Sequence, residues 1–479
     1  MTDREQELIQ AARDGTELVC DKDPIRADLI RELLLGKHGD LDPRGVRVTG
    51  ARITEQLDLY HVTAKVGLQL DRCTFDEPIA ALSAHVPWLS LEGAEIPGLL
   101  ADGLRVDGRL YLDGLRSQDT VRLLDARVDS DVDLDNAQLT SDSGPALNAD
   151  GLHTGGRLRL ENAHLAGNGG LGALILLNAR IGNQLLLGNA RIISSANAAV
   201  MAVNLRAESD VLLSDAHISG EGLADGIKFA RAKISGVLDL NRLEIEDVQV
   251  ALNLEDCCAG AVFLEPRLLC PDATHRSTPT VLLTGFTFSG LVGTSWREWL
   301  HAIREHTPSY MPQPYQQLAA VERASGHDGN ARRILIAQQR DLYRRSPKAI
   351  GGWWTRRFHQ LFGLLAGYGY RARRTALALL IALVVAGALG FWAGHVVDGT
   401  RHAAERPNGD TCSTVELIGV GLDRGLPLSP TGIRTRCDLN TGTTWGQVFT
   451  VGIWAVQAAV WGLATLALAG YTGLVRKTA

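Results

Sequence analysis

The sequence predicts an all-β solenoid carrying an N-terminal helical cap, a helical adaptor and two C-terminal transmembrane helices. Three observations predict it. A short unit, x-Leu-x-Leu followed after two residues by Ala-x-Ile/Leu, recurs from about residue 46 to residue 270. Its insertions lengthen only one side of a larger period. Two long stretches near the C-terminus, 375–397 and 445–475, contain no Asp, Glu, Lys or Arg.

The N-terminus, Met1-Thr-Asp-Arg-Glu-Gln-Glu, is polar and mixed in charge, so no secretory signal is expected. Residues 1–45 are assigned to a helical cap, with Ile25 to Leu35 as its helical run. Residues 46–290 are assigned to the repeat domain. Examples of the unit are Leu91-Glu-Gly-Ala-Glu-Ile96, Leu134-Asp-Asn-Ala-Gln-Leu139, Leu160-Glu-Asn-Ala-His-Leu165, Leu187-Gly-Asn-Ala-Arg-Ile192 and Leu213-Ser-Asp-Ala-His-Ile218. Early units recur at Leu59, Leu70, Leu91 and Leu112; later ones, Leu160, Leu187, Leu213 and Leu240, step by 27, 26 and 27. The added residues therefore leave on one edge of a stack of coils. One coil buries a single row of Leu and Ile, too little to fold alone, and stacking supplies the continuous core. Small Ala suits a tight corner, and Asn or Asp satisfies local backbone donors there. A helix is excluded because the apolar spacing is 2 and 5, not 3 and 4.

The Ala-(Asn/Asp/Arg/His)-Ile/Leu unit resembles the pentapeptide-repeat family, whose members form right-handed β-helices. Here steps of five alternate with six or more, so looser corners are expected than in that family. The whole arrangement, with Asp42-Pro-Arg-Gly-Val-Arg-Val48 after the first helix and Gly367-Tyr-Gly-Tyr-Arg371 before a two-span tail, resembles bacterial, especially actinobacterial, membrane-anchored repeat proteins. Relatives of that kind are often labelled membrane-associated oxidoreductases, and the resemblance implies that activity as an alternative.

Residues 291–345 read as a helical adaptor. Trp296 to His306, Tyr315 to Arg323 and Asn330 to about Arg345 each suit a helix, with Pro308, Pro312 and Pro314 separating the first two. Tyr315, Leu318, Ala319, Ala331, Ile334 and Leu335 are the expected packing positions. Residues 346–374 form a basic segment. Between Leu342 and Val397 there is no acid, while Arg344, Arg345, Lys348, Arg356, Arg357, Arg371, Arg373 and Arg374 all occur. Trp353, Trp354, Phe358, Leu361, Phe362 and Leu365 suit one face of a helix lying on the inner leaflet, and the cations should attract anionic lipid.

The spans at 375–397 and 445–475 each exceed the roughly 20 residues a membrane helix needs. Flanking bases before the first, and Arg476 and Lys477 after the second, place both termini in the cytoplasm of a plasma-membrane protein by the positive-inside rule. The connecting loop, 398–444, is near neutral and falls outside the cytoplasm. It contains Cys412 and Cys437, for which a disulfide is expected. Cys20, Cys73, Cys257, Cys258 and Cys270 show no zinc-ligand spacing and read mainly as small core residues. A redox role for the vicinal Cys257–Cys258 pair, or a bound flavin, is the form an oxidoreductase would take.

Net charge divides along the chain. Residues 1–290 hold 43 acids and 27 bases, a balance of −16, while the rest hold 11 acids and 21 bases, a balance of +10. Other motifs have bland explanations. Gly167-Asn-Gly169-Gly-Leu-Gly172 matches a dinucleotide fingerprint in letters only, since a β-coil and not a helix follows. Asp129, Asp131, Asp133 and Asp135 lack the Gly of a calcium loop and read as outward acids of one strand. Thr450-Val-Gly-Ile-Trp454 lacks the second Gly of a potassium filter. No catalytic residue, cofactor or metal ligand is assigned. The function expected is a non-enzymatic, membrane-anchored scaffold whose acidic β-helix binds an unidentified cytoplasmic protein. Direct nucleic-acid binding is not expected; the remaining alternative is a DNA-mimicking rod that binds topoisomerases.

Overall fold

The structure is a computed structural model describing all residues except 1, 169, 171, 195–197, 221–224, 247, 249, 265–279, 370–371, 399–400, 427–431, 433–434 and 472–479. Cys270, Arg371, Arg476 and Lys477 therefore lie outside the described residues. The chain forms two compact units, Met1–Ile334 and Leu335–Ala479.

The first unit is a parallel β-solenoid. A full coil carries four short strands, and each stacks on its counterpart in the next coil. Face 1 runs through His85–Val86, Arg105–Val106, Arg127–Val128, His153–Thr154, Arg180–Ile181 and Arg206–Ala207. Face 2 follows it through Leu89–Ser90, Leu110–Tyr111, Val132–Asp133, Leu158–Arg159, Leu185–Leu186 and Val211–Leu212. Both faces merge in the long strands Lys233–Leu240 and Cys258–Leu264, giving an 18-stranded sheet. Face 3 is a 10-stranded sheet from Pro24–Arg26 to Glu244–Glu246, and face 4 a 9-stranded sheet from Ile79–Ala80 to Thr280–Leu282.

The repeat explains these faces. The two Leu of each x-Leu-x-Leu unit point inward, as Leu158 and Leu160 do, and both are fully buried. Burying a Leu contributes about 1.5–3 kcal/mol, and each coil adds several. The corners between faces 2 and 3 and between faces 4 and 1 each need one residue with positive φ. Asn136, Asn162, Asn189 and Asp215 fill the first corner (φ 56°, 58°, 53° and 60°), and Asn178 and Asn204 fill the second (φ 54° and 59°). Gly93, Gly114, Gly103 and Gly151 occupy the same places in other coils. Asn and Gly tolerate this conformation better than other residues. The corner Asn is thus selected for its backbone, and Asp133, three residues before Asn136 in the same coil, accepts the local bond, from the Asp135 N–H at 3.2 Å. The next residue is the small inward one: Ala137, Ala163, Ala190 and Ala216, or a cysteine at Cys73 and Cys257, all buried.

Among the described residues, the lengthening falls between faces 3 and 4. Arg116–Ser117 is followed closely by Val121–Arg122, whereas Gln138–Ser141 and Leu147–Asn148 are further apart. At the N-terminal end α1 (Asp3–Asp14) and α2 (Ala27–Leu34) flank strands that continue the solenoid. Leu18–Val19 pairs with Val48–Thr49, and Pro24–Arg26 with Arg52–Thr54. Glu5 ties α1 to this end: it accepts from Arg26 Nε at 2.9 Å and closes a capping box with Thr2. After the last coil come α3 (Trp296–Glu305), α4 (Gln313–Ala324) and α5 (Asp328–Arg345). Trp299, Tyr315, Leu318, Ala319, Ala331 and Ile334 are buried, and Trp299 stacks on Phe288 at 5.3 Å.

The second unit holds α6 (Trp353–Ala366), α7 (Ala372–Ala393), α8 (Thr414–Gly425) and α9 (Thr444–Tyr471). Arg373–Ala393 and Thr444–Leu468 are long and apolar enough to cross a membrane. Residues 394–397 lie beyond the end of α7, so the first apolar helix is shorter than the uncharged stretch. Sequence reasoning assigns no element between the two apolar segments, yet α8 stands there, opened by a Ser413/Glu416 capping box. It lies close against α7 because both surfaces are small. A Cβ on Gly390 would meet Leu417 O at 2.3 Å, and one on Gly421 would meet Ala386 O at 2.1 Å. The spacing Ala386-x-x-x-Gly390-x-x-x-Gly394 opposite Gly421-x-x-x-Gly425 is the small-residue pattern that lets apolar helices approach. Thr450 lies inside the continuous helix α9 and donates to Gly446 O at 2.7 Å, which removes the filter-like reading of 450–454.

The corner geometry is testable. Asn189→Val should destabilise the fold by about 1–2 kcal/mol, and Asn189→Gly should stay within a few tenths. Thermal unfolding of the detergent-solubilised chain, followed by β-sheet circular dichroism, reads the difference.

Candidate functional site

The candidate site is built from the outward side chains of the solenoid. Strand residues alternate in direction, and stacking without register shift aligns the outward ones in rows. The row on face 1 is basic. His85 pairs in register with Arg105, Arg105 with Arg127, Arg127 with His153, His153 with Arg180, Arg180 with Arg206, and Arg206 with Lys233. The row continues as Cys258 and Thr287. Arg105, Arg127, Arg180, Arg206 and Lys233 are all exposed.

These cations differ from most others of the solenoid. Arg116 pairs with Glu95 at 2.9 Å, Arg109 with Asp131 at 2.8 Å, and Arg122 with Asp102. Arg105, Arg127, Arg206 and Lys233 make no ion pair or side-chain hydrogen bond among the described residues, and Arg180 touches only His153 Nε2, at 3.4 Å. Acids flank the row but do not neutralise it. Asp107 is held by His85 at 2.7 Å, while Asp125, Asp129 and Glu208 stand at its edges. Arg231, at the corner beside Lys233, is also exposed.

A second row, acidic, runs where face 2 turns into face 3. Asp71, Glu92, Asp113, Asp135 and Glu161 stack through Arg72 N–Glu92 O, Gly93 N–Asp113 O, Gly114 N–Asp135 O and Asn136 N–Glu161 O bonds of 2.7–2.8 Å. Burial and the charges of Asp71, Asp113 and Asp133 push the Glu92 carboxyl above its ordinary value. The acids around residue 131 are more enclosed than their alternation suggests. Asp131 and Asp135 are buried, Asp131 accepts from the Arg157 N–H at 2.8 Å, and Asp135 pairs with Arg159. Both alternate with the inward Val132 and Leu134 and so face outward, but Arg109, Arg157 and Arg159 cover them.

The remaining sequence-derived residues fall as follows. Cys412 and Cys437 are joined in a disulfide with Cα atoms 6.0 Å apart, beside the small core formed by Ala403, Leu417, Val420 and Leu439. In the basic cluster, Arg344 and Arg345 end α5, Lys348 lies in the turn Pro347–Ile350, Arg356 and Arg357 are on α6, and Arg373 and Arg374 are in the first turn of α7. Trp353, Trp354, Phe358, Leu361 and Leu364 of α6 are exposed; Trp354 is the most open at 79%. Cys257 and Cys258 face opposite sides. Cys258 is exposed, whereas Cys257 is buried and its thiol is pushed up to about 12 by burial. A thiol so held is protonated at neutral pH and a poor nucleophile. Gly167 ends a face-3 strand and the next described strand is Leu174–Ile175, while Gly169 and Leu171 of the Gly-rich stretch lie outside the described residues. Among the described residues no group of three or more His, Cys, Asp or Glu is placed to hold a metal ion.

Comparison with protein families, curated proteins and solved structures finds no match to this chain.

The acidic row has a pH signature. A carboxyl whose folded value is raised penalises folding once ionised, and the penalty disappears below the unfolded value. Glu92→Gln should therefore raise the unfolding midpoint at pH 7. The gain should close as the pH falls towards about 4, the ordinary Glu range.

Proposed function

We propose that the chain is a membrane-anchored scaffold: a right-handed, pentapeptide-repeat-like β-helix closed at its N-terminus by a helical cap and held at the plasma membrane by two spans. The observation that carries this reading is the coexistence in one chain of two long apolar helices with a solenoid whose surface consists of registered rows. A solenoid of this kind is stiff, because every coil is hydrogen-bonded to both neighbours. Such a surface suits binding spread over several coils, and the lengthened corners between faces 3 and 4 offer loops for an unidentified cytoplasmic protein.

The anchor is supported by the basic segment. Helix α6 carries exposed Trp and Phe beside Arg356 and Arg357, as a helix lying at the headgroup level of anionic lipid does. With both termini cytoplasmic, the disulfide-bearing segment faces the oxidising side. A DNA-mimicking role would draw on the acidic row Asp71–Glu161, but Arg109, Arg157 and Arg159 stand beside that row and lower its charge. An oxidoreductase built on Cys257 would have to overcome the buried, protonated thiol.

Cell experiments test the scaffold in two arms. After mild reduction of intact cells, a membrane-impermeant maleimide should label Cys412 and Cys437 but not Cys258 until the membrane is opened. Labelling of Cys258 in intact cells would reverse the topology. A photo-crosslinker at Ser143, in a lengthened corner, should trap one discrete partner that a crosslinker at Glu95 on face 3 does not. Identical products from both positions would remove the loop-directed reading.

A further inference from the structure

The face-1 row is a feature that the scaffold reading leaves unused. The solenoid carries excess acid, yet six successive coils place Arg105, Arg127, His153, Arg180, Arg206 and Lys233 in one line. At about 4.8 Å between parallel strands the line spans roughly 24 Å. Apart from the Arg180–His153 contact, its cations have no ion pair or side-chain hydrogen bond among the described residues, whereas the other Arg residues of faces 2, 3 and 4 mostly have partners. Unpaired charges of one sign repel along such a row, so the arrangement costs stability unless something outside the chain offsets it.

The shape of the charge selects the occupant. A planar anionic surface would meet Asp107, Asp129 and Glu208 on one side of the row and Asp125 on the other. A second solenoid would have to bring its own flanking acids against these. A single thin chain of anions touches the cations and avoids the flanks. A single-stranded nucleic acid would add bases that gain from stacking on aromatic side chains, and no Phe, Tyr or Trp stands in the row. Guanidinium groups donate paired hydrogen bonds to phosphate oxygens, and four of the five unpaired cations are Arg.

We propose that face 1 is a track for a linear phosphate polymer without bases, laid along Arg105, Arg127, Arg180, Arg206 and Lys233. Five of the six coils contribute one cation each, with His153 in the remaining one, and the polymer's repeating charge lets it bind without a fixed end. The occupant is distinct from the protein partner assigned to the lengthened corners, which lie between faces 3 and 4.

The test uses the full chain in detergent micelles and end-labelled inorganic polyphosphate long enough to cover the row. Fluorescence anisotropy should show saturable binding that weakens as salt rises. Arg180→Ala combined with Arg206→Ala should lower the affinity about tenfold, and the double Lys variant should retain more of it than the double Ala variant. Arg116→Ala, which removes a paired cation of face 3, and Arg356→Ala combined with Arg357→Ala should leave binding unchanged. All three positions changed on faces 1 and 3 are exposed, and an unaltered melting curve confirms that each variant is folded. Several results would overturn the proposal. One is undiminished binding by the Arg180/Arg206 variant, or loss of binding only with Arg356 and Arg357. Another is equal competition by an oligothymidylate of the same charge, which would mean a nucleic acid is the ligand. A third is polymer-independent self-association abolished by the same face-1 variants, which would make a second copy the occupant.

Discussion

Every outward row depends on one constraint: each coil hydrogen-bonds the next in parallel with almost no change of register. From His85 to Lys233 the pairs on face 1 advance one coil at a time. Register shifts appear only late, between Ile234 and Val237 and between Val250 and Leu252. A slip of a single residue would send inward Leu to solvent and outward Arg into the core. The buried Leu rows therefore hold the surface rows in place from inside the coil.

The same constraint explains the corners. A coil closes only where the chain can take a positive φ followed by a small side chain. Asn189 with Ala190 is one solution, Gly93 with Ala94 another, and Asp256 with Cys257 a third. The burial of Cys257 follows from its corner place and not from any redox duty. Neighbouring Cys258 faces outward because consecutive strand residues alternate.

Much of the solenoid was legible because its determinants are local and repeat. The x-Leu-x-Leu frame marks inward positions, Ala marks the corner, and steps of 26–27 after Leu160 expose the single lengthened edge. From sequence the corner Asn suggests local hydrogen bonds, whereas in the fold its main task is the backbone angle. The face-1 row was harder to see. Its members lie 20–27 residues apart and mix Arg, His and Lys, so no short window contains two of them. Summed charge pointed the other way, because the acids of the solenoid outnumber its bases. The signal lay in the triplets Ala126-Arg127-Val128, Ala179-Arg180-Ile181, Leu205-Arg206-Ala207 and Ala232-Lys233-Ile234, which fix the same outward place in each coil. Helix α8 escaped for a different reason: it is short, Gly-rich and carries Glu416, Asp423 and Arg424, and its support comes from packing against α7.

Charge on this protein is a matter of position more than of total. Paired Arg residues cover the buried carboxylates of Asp131 and Asp135, and unpaired Arg residues line face 1. Whether that line is straight and stacked can be measured by placing spin labels at both ends, through Arg105→Cys and Lys233→Cys in a Cys258→Ser background, and recording the electron–electron distance. Stacked coils require a narrow distribution near roughly 24 Å, widened only by the label arms. A broad distribution, or one centred far beyond that length, would contradict a registered solenoid and remove the basis of every row described above.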